Sequence, residues 1–301
     1  MGYLLKIGFA LVAGTLYGQQ FIPIWEHNRM PNTRGLELEY QEKDQRITQV
    51  SSPGIYAFFP SQDENNGSAV LICPSGGYQK LTYDLGGFQL AKWFNTLGMN
   101  AFVLIYRLPN SPDLIEREKG PIQDAQRAMK IIKAHAYKWG IDTTRVGIMG
   151  SSAGGHLASI LGTHTDDFSL TGDTMDRYSF KPGFMILVSP VISMDKYTHI
   201  GSRNNLLGES PSIEMITLYS NELHVNGDMP PTFVVHAQND QTVSPMNSIL
   251  FFQAITAEGA KGCLHIFPQG DHSIGLRNNP GSTDEWTVLC EKWLSEMYIT
   301  H

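Results

Sequence analysis

Short, wholly apolar runs recur along the chain, and longer segments with apolar positions at helical spacing separate them. Such runs predict strands buried on both faces, as in a parallel sheet, and the helical spacing predicts helices that cover those faces. We therefore predict an α/β fold with a mostly parallel central sheet and helices on both sides. The clearest predicted strands are residues 69–73, 145–149, 184–189, 231–237 and 262–267, and the clearest helices are residues 154–161, 246–258 and 284–298.

A Gly-x-Ser-x-Gly turn joins one predicted strand to the helix that follows it, with Gly150, Ser152 and Gly154 at the defining positions. Such a turn, called a nucleophile elbow, holds the serine hydroxyl clear of the backbone, and its glycines leave room for the neighbouring strand and helix. We therefore predict that Ser152 is a nucleophile. Ser151 is the nearest alternative, but only Ser152 has glycine two residues away on both sides.

A serine nucleophile needs a base, and the base needs a group that orients it. After this kind of elbow, the acid and then the histidine follow the serine in the chain. Asp240 and His272 each follow a predicted strand, so a parallel sheet would bring both to the edge that carries the elbow. Asp271 is the rival acid, but it adjoins the histidine and should point away from its ring, whereas Asp124 precedes the serine. His236 fits less well than His272 because it lies inside a predicted strand.

The oxyanion of an acyl-transfer intermediate is usually stabilised by backbone N–H groups. One predicted donor is Ala153, directly after the nucleophile, and the others lie in the loop 74–78 after an upstream strand. Gly76 and Gly77 are the predicted loop donors, since glycine lets the peptide N–H face the substrate, and the N–H of Ser75 is the alternative.

These motifs resemble the α/β-hydrolase superfamily over about residues 21–297, and more narrowly the bacterial carbohydrate esterases grouped with acetylxylan esterases and feruloyl-esterase-like proteins. The segments that carry the resemblance are Ile-Pro-Ile-Trp (22–25), Met-Pro-Asn (30–32), Cys-Pro-Ser-Gly-Gly-Tyr (73–78), Phe-Val-Leu-Ile-Tyr-Arg-Leu-Pro (102–109), Gln-Asp-Ala-Gln-Arg-Ala (123–128), Trp-Gly-Ile-Asp (139–142), Gly-Ser-Ser-Ala-Gly-Gly-His (150–156), Tyr-Thr-His-Ile-Gly-Ser-Arg (197–203) and Asn-Leu-Leu-Gly (205–208).

The resemblance implies a serine carboxylesterase that removes acetyl groups from a carbohydrate such as acetylated xylan or xylo-oligosaccharides, through an acyl-enzyme on Ser152. A feruloyl or other carbohydrate esterase is the alternative within that class, and a peptidase is a more distant one. A hydrolase fold used only to bind carbohydrate is the alternative from another class. The fold also implies no cofactor, and the sequence has no metal-binding spacing.

The chain departs from the group's usual pattern near the nucleophile. Ser75 replaces the first glycine of the oxyanion loop, and Ser273 replaces the glycine that usually follows the histidine. We expect Ser75, together with Tyr78 leaning over the same region, to narrow the acyl pocket and favour acetyl groups. We also expect residues 193–228, which lack clear strand patterns, to form a partial lid over the site.

Charge and composition narrow the classes of partner. The 301-residue chain is 42% hydrophobic and has a formal net charge of −7 with no basic cluster, which argues against a nucleic-acid partner and is compatible with a neutral carbohydrate. The oligomeric state is left open by the sequence.

The amino terminus has the pattern of a bacterial signal peptide. Lys6 precedes an apolar core at residues 7–17, and Gly18 provides a small residue for cleavage. The core is too short to span a membrane, which takes roughly 20 apolar residues. We therefore expect residues 1–18 to be removed, residues 19–301 to form one catalytic α/β-hydrolase domain, and the protein to be secreted or periplasmic.

Overall fold

The computed structural model describes residues 20–26 and 29–300. The predicted signal peptide, residues 1–18, lies outside these described residues. No helix of the described part of the chain is long and apolar enough to cross a membrane.

A twisted sheet with mostly parallel strands forms the centre of the protein. The strands of the described residues are β1 (Gln20–Pro23), β2 (Gln41–Lys43), β3 (Arg46–Gln49), β4 (Gly54–Phe58), β5 (Ala69–Cys73), β6 (Asn100–Ile105), β7 (Val146–Ser151), β8 (Met185–Val188), β9 (Thr232–Ala237) and β10 (Gly262–Phe267). β2 and β3 pair separately, and the other eight form one sheet in the order β1–β4–β6–β5–β7–β8–β9–β10. β1 and β4 run antiparallel to their neighbours, and the pairs from β6 to β10 are parallel.

Helices cover both faces of the sheet. They are α1 (Gln89–Thr96), α2 (Lys119–Ala134), α3 (Ala136–Trp139), α4 (Ala153–Thr163), α5 (Ile200–Leu207), α6 (Ile213–Leu218), α7 (Met246–Ala257) and α8 (Trp286–Glu296), and a π-helical turn at Asp84–Phe88 leads into α1. Single 3₁₀ turns lie at Thr143–Arg145, Thr174–Arg177, Asn221–Leu223 and Gly281–Glu285. The predicted fold class is confirmed.

The pattern of apolar residues explains these layers. Every residue of β5, β6 and β9 is buried, because side chains pointing to either face meet a layer of helices. One face packs against α2, α4 and α7, and the other packs against α1 and α8. The two apolar clusters lie on opposite sides of the same strands, so a substitution in a central strand affects only the cluster that its side chain enters.

The strand register brings several loops to one edge. Cys73 at the end of β5 is level with Gly150 of β7, and Ser151 is level with Val188 at the end of β8. Because parallel strands all end on the same side, the loops after β5, β7, β8, β9 and β10 meet there. This is the edge at which the sequence places its candidate site residues.

Candidate active site

The backbone at Ser152 forms the predicted elbow between β7 and α4. Ser152 has φ 54° and ψ −124°, a strained conformation that nucleophile elbows impose on their serine. A Cβ at Gly150 would collide with the carbonyl of Gly154, and a Cβ at Gly154 would collide with the carbonyl of Cys73. Both glycines are therefore required by close backbone approach, as the sequence pattern indicated.

A chain of hydrogen bonds runs from Ser152 into the protein. His272 Nε2 lies 2.9 Å from Ser152 Oγ, and His272 Nδ1 lies 2.7 Å from Asp240 Oδ2. Asp271, the rival acid, is exposed and accepts instead from the backbone N–H of Gln241 at 3.4 Å. The structure thus brings the three predicted residues together in the order nucleophile, base and acid.

The environment of Asp240 keeps it ionised. Its side chain is fully buried, and its Oδ1 accepts hydrogen bonds from the backbone N–H groups of Thr242 and Val243 at 2.8 and 2.9 Å. Burial acts to raise the pKa of Asp240, but the hydrogen bonds from His236, His272 and Val243 outweigh burial and hold the pKa well below its ordinary value. A carboxylate of this kind fixes the ring proton of His272 on Nδ1 and leaves Nε2 to accept from the serine.

A second histidine, which the sequence analysis set aside, also contacts the acid. His236 Nε2 lies 3.1 Å from Asp240 Oδ2 and 3.0 Å from the carbonyl of Val243, two acceptors that place the ring proton on Nε2. Its Nδ1 accepts from Ser248 Oγ at 2.7 Å. The signal in the sequence is a histidine inside a largely apolar predicted strand, four positions before the candidate acid.

The loop after β5 has the geometry of an oxyanion loop. Gly76 and Gly77 have φ +134° and +64°, and a Cβ at Gly76 would collide with the carbonyl of Lys80. In the described chain, the N–H groups of Gly76, Gly77 and Ala153 donate no hydrogen bond within the protein. Their assignment as donors to the oxyanion stays a proposal.

Tyr78 does not lean over the site, contrary to the sequence-based expectation. The residue is wholly buried, and its hydroxyl lies 2.9 Å from His156 Nδ1, while His156 Nε2 donates to the carbonyl of Tyr219 at 2.8 Å. Burial lowers the pKa of His156 to about 4, so this ring is neutral near pH 7. Tyr78 packs inward beneath the oxyanion loop. The hydrogen bonds from Tyr78 to His156 and from His156 to Tyr219 therefore connect this loop to α4 and to the segment after α6.

Residues 193–228 contact the loop after β5 and the helix α4. Asn205 of α5 donates from Nδ2 to the carbonyl of Gly77 at 2.8 Å, and Asn221 donates to the carbonyl of His156 at 3.1 Å. No described residue of this segment lines the cleft over Ser152. Burial and the neighbouring His272 lower the pKa of His199, so this segment does reach the site, and the predicted partial lid stays a prediction.

The cleft beside Ser152 has a volume of about 740 Å³. It is lined by α1 and the π-helical turn before it, and by the loop 273–278. The walls are mainly apolar. The described lining residues include two basic side chains, Lys92 and Arg277, and no acidic one. The apolar wall residues are Leu85, Trp93, Val188, Ile274 and Leu276.

Comparisons with known proteins identify similar sequences. The BD-FAE family model matches residues 106–255. The chain is 34% identical over 216 residues to an acetylxylan esterase of Xylanibacter ruminicola, covering 70% of this chain and 42% of that protein. It is 33% identical over 227 residues to endo-1,4-beta-xylanase B of Butyrivibrio fibrisolvens, covering 75% of this chain and 35% of that protein. The chain thus spans less than half the length of these two curated relatives.

A solved structure matches almost the whole chain. The acetyl ester-xyloside bifunctional hydrolase from Caldicellulosiruptor lactoaceticus superposes with a TM-score of 0.82 at 32% identity, covering 95% of this chain and 99% of that one. The parallel sheet and the elbow define the α/β-hydrolase class of proteins. The chain belongs to this superfamily and, within it, to the group represented by the BD-FAE model, the acetylxylan esterase and the acetyl ester-xyloside hydrolase.

Proposed function

We propose that the protein is a serine carboxylesterase that removes acetyl groups from a carbohydrate such as acetylated xylan or xylo-oligosaccharides. The observation that carries the proposal is the continuous hydrogen-bonded chain from Ser152 through His272 to Asp240 at a strained elbow. A protein that only binds carbohydrate has no need for a serine whose hydroxyl is positioned on a base. The relatives' names supply the ester and carbohydrate classes.

In the first half of the reaction, His272 Nε2 takes the proton of Ser152 as its Oγ attacks the ester carbonyl. Asp240 stabilises the imidazolium that forms, and it remains ionised throughout. The N–H groups of Ala153 and of Gly76 or Gly77 donate to the oxyanion of the tetrahedral intermediate. His272 then passes its proton to the oxygen of the departing alcohol, which leaves an acyl-enzyme on the serine.

In the second half, water replaces the alcohol. His272 takes a proton from the water, the resulting hydroxide attacks the acyl carbonyl, and the second tetrahedral intermediate collapses to release the acid. The proton on His272 returns to Ser152 Oγ, which restores the starting state. His272 carries out every proton transfer in these steps, and Asp240 remains ionised.

A feruloyl or other large acyl group is the second candidate substrate. The observation in its favour is the cleft of about 740 Å³ with apolar walls, which exceeds the space that an acetyl group needs. An aromatic acyl group would pack against Trp93 and Leu276. With an acetyl ester, these side chains would instead contact the carbohydrate.

Two measurements test the proposed function. Hydrolysis of p-nitrophenyl acetate by the purified protein separates an esterase from a binding protein, and the Ser152→Ala variant is the matched control. Release of acetate compared with ferulate from native xylan then separates the two substrate classes. Absence of hydrolysis in the first assay would refute the esterase proposal, and preferential release of ferulate would replace the acetyl proposal.

We also propose that residues 1–18 direct export and are removed near Gly18. Lys6 and the apolar residues that follow it support this proposal. Mass spectrometry of the protein recovered from periplasmic and culture fractions of a bacterial host tests it. The mature chain should begin close to Gln19, and retention of the full-length chain in the cytoplasm would contradict it.

A further inference from the structure

Two basic side chains line the cleft that holds the candidate nucleophile. Lys92 of α1 and Arg277 of the loop 273–278 belong to the wall of the same cleft as Ser152 and His272. Both basic residues are exposed, and neither forms an ion pair or a hydrogen bond with another described residue. No acidic residue is among the described lining residues. The fixed formal charges of this cleft are therefore positive.

The acidic side chains next to the cleft wall are bound to uncharged groups. Asp84 accepts from Nε2 of Gln89 at 3.3 Å. Glu291 accepts from Nε1 of Trp93 at 2.9 Å. Asp284 accepts at 2.8 Å from a backbone N–H five residues before it. Because these carboxylates bind neutral donors, neither cation of the cleft is paired with an acid in the described part of the chain.

The charge of the cleft is opposite in sign to the charge of the whole protein. The chain has a formal net charge of −7, which repels anions at long range. At 0.1 M salt, interactions between exposed charges fade beyond about 10 Å, so an anion inside the cleft interacts mainly with the two cations there. The mainly apolar walls strengthen these interactions because they exclude part of the solvent. The cleft therefore favours a carboxylate over an uncharged group of the same shape.

We propose that the cleft binds esters whose alcohol part carries a carboxylate, and that Lys92 and Arg277 select for that charge. This inference rests on the proposed carbohydrate-esterase function, in which the carboxylate belongs to the carbohydrate because an acetyl group carries no charge of its own. A carbohydrate of this class is an acetylated oligosaccharide with a uronic acid side group. The guanidinium of Arg277 presents paired donors that match a carboxylate, whereas the ammonium of Lys92 acts as a point charge.

The test compares 4-carboxyphenyl acetate with 4-carbamoylphenyl acetate, two acetyl esters of nearly the same shape that differ by one negative charge. The measured quantity is the ratio of kcat/KM for the carboxylate ester to kcat/KM for the amide ester. We expect the double variant Lys92→Gln, Arg277→Gln to lower this ratio about fivefold at low salt, since exposed ion pairs are individually weak. In the wild type, about 0.5 M NaCl should lower the ratio toward that of the variant. A misfolded fraction lowers both rates alike and leaves the ratio unchanged, so loss of folding does not imitate the effect.

The matched control is the double variant Lys138→Gln, Lys261→Gln, which removes the same charge from exposed positions outside the cleft and should retain the wild-type ratio. An unchanged ratio in the cleft variant would overturn the proposal, and so would an equal fall in the control. Failure of the underlying function gives a different result: a wild type that cleaves neither aryl ester is not an esterase, and that result also removes the role proposed for the two cations.

Acetylated xylo-oligosaccharides with and without a uronic acid side group provide the second comparison. The cleft variant should lose more of its kcat/KM for acetate release from the oligosaccharides that carry the uronic acid. An equal loss from both kinds of oligosaccharide would overturn the assignment of the carboxylate to the carbohydrate.

Discussion

Two histidines lie close to the nucleophile elbow, and their surroundings give them different properties. His272 connects Ser152 to an ionised carboxylate, with one ring nitrogen on each. His156, in the first turns of α4, connects the phenol of Tyr78 to the carbonyl of Tyr219. Both rings make two hydrogen bonds. Of the two, only His272 contacts a negatively charged group.

That difference decides what each ring does. A carboxylate stabilises the imidazolium that forms when His272 takes a proton, so the ring serves as a base. His156 has two uncharged partners and is wholly buried, which lowers its pKa to about 4 and keeps it neutral. The ring is therefore a structural connector between α4 and the oxyanion loop. The carboxylate on its second nitrogen therefore distinguishes His272, the candidate base, from His156.

The largest expected effect concerns Ser152, the side chain from which His272 takes a proton. Ser152→Ala should lower kcat by on the order of 10⁵-fold, because it removes the nucleophile and leaves only oxyanion and binding contributions. Steady-state hydrolysis of p-nitrophenyl acetate measures this loss. Ser151→Ala is the matched control and should retain most of the activity. An inactive Ser151→Ala protein beside an active Ser152→Ala protein would show that the elbow register is wrong.

The next largest effect concerns the carboxylate of Asp240, which contacts His272 but not His156. Asp240→Asn should lower kcat by about 10³- to 10⁴-fold, because an amide permits the wrong tautomer of His272 and does not stabilise the imidazolium. Asp271→Asn is the control and should have a mild effect, since the carboxylate of Asp271 is exposed and does not contact the ring. Equal losses in the two variants would contradict the assignment of the acid.

His156 should affect stability and its dependence on pH. Its folded-state pKa is lowered from 6.5 to about 4, so between these values the unfolded chain binds more protons and stability falls as the pH falls. The wild type should lose about 2 kcal/mol from this group between pH 7 and pH 5, a factor of about 30 in the folding equilibrium. Urea unfolding at the two pH values measures the loss.

The control for that prediction is His156→Gln, whose side chain does not titrate. The variant should be less stable than the wild type at pH 7 but should show a weaker dependence on pH over the same interval. Identical pH dependence in the two proteins would mean that His156 is protonated as readily in the folded state as in the unfolded one.

His236 extends the hydrogen-bonded chain of His272 and should have a smaller effect on rate. His236→Leu removes the donor to Asp240 and should lower kcat about tenfold with little change in KM, which corresponds to about 1.4 kcal/mol. His236→Gln keeps an N–H donor and should recover part of the rate. A change in KM alone, or equal rates in the two variants, would assign His236 a role in folding only.

The smallest effect concerns the oxyanion loop. Ser75 lines the cleft, although its hydroxyl is tied to Thr82 Oγ1 at 2.6 Å. Ser75→Gly should raise kcat/KM for butyryl relative to acetyl esters by about threefold to tenfold, because it removes about 1 kcal/mol of crowding. An acyl-chain series on one leaving group measures this ratio. A wild type that prefers octanoyl esters would remove the basis for this prediction.

The sequence predicted five strands of the eight-stranded sheet and three of the helices with bounds within two residues, whereas β1, β4 and β6 were not among the predicted strands. β5 and β10 have the predicted bounds, whereas the predicted strand at 145–149 is observed at Val146–Ser151. Buried parallel strands are wholly apolar, so their positions follow from local composition. The final helix begins later than predicted, at Trp286, because a 3₁₀ turn occupies the residues before it.

The sequence by itself determined which side chains meet at the edge of the sheet. Ser152, Asp240 and His272 each follow a strand, and parallel strands with crossover connections end on the same side. The glycines at 150 and 154 were likewise readable, because only glycine permits so close an approach of two backbones.

Only the tertiary structure decided where the neighbouring side chains point. Tyr78 turns inward to His156, His236 reaches Asp240, and Ser189 is left without a partner beside the nucleophile. These outcomes depend on packing between segments that are distant in the chain, such as the contact of residues 193–228 with the oxyanion loop. Local apolar patterning fixes where a strand ends, whereas the direction of each side chain beyond that end is set by the partners that the whole fold brings to it.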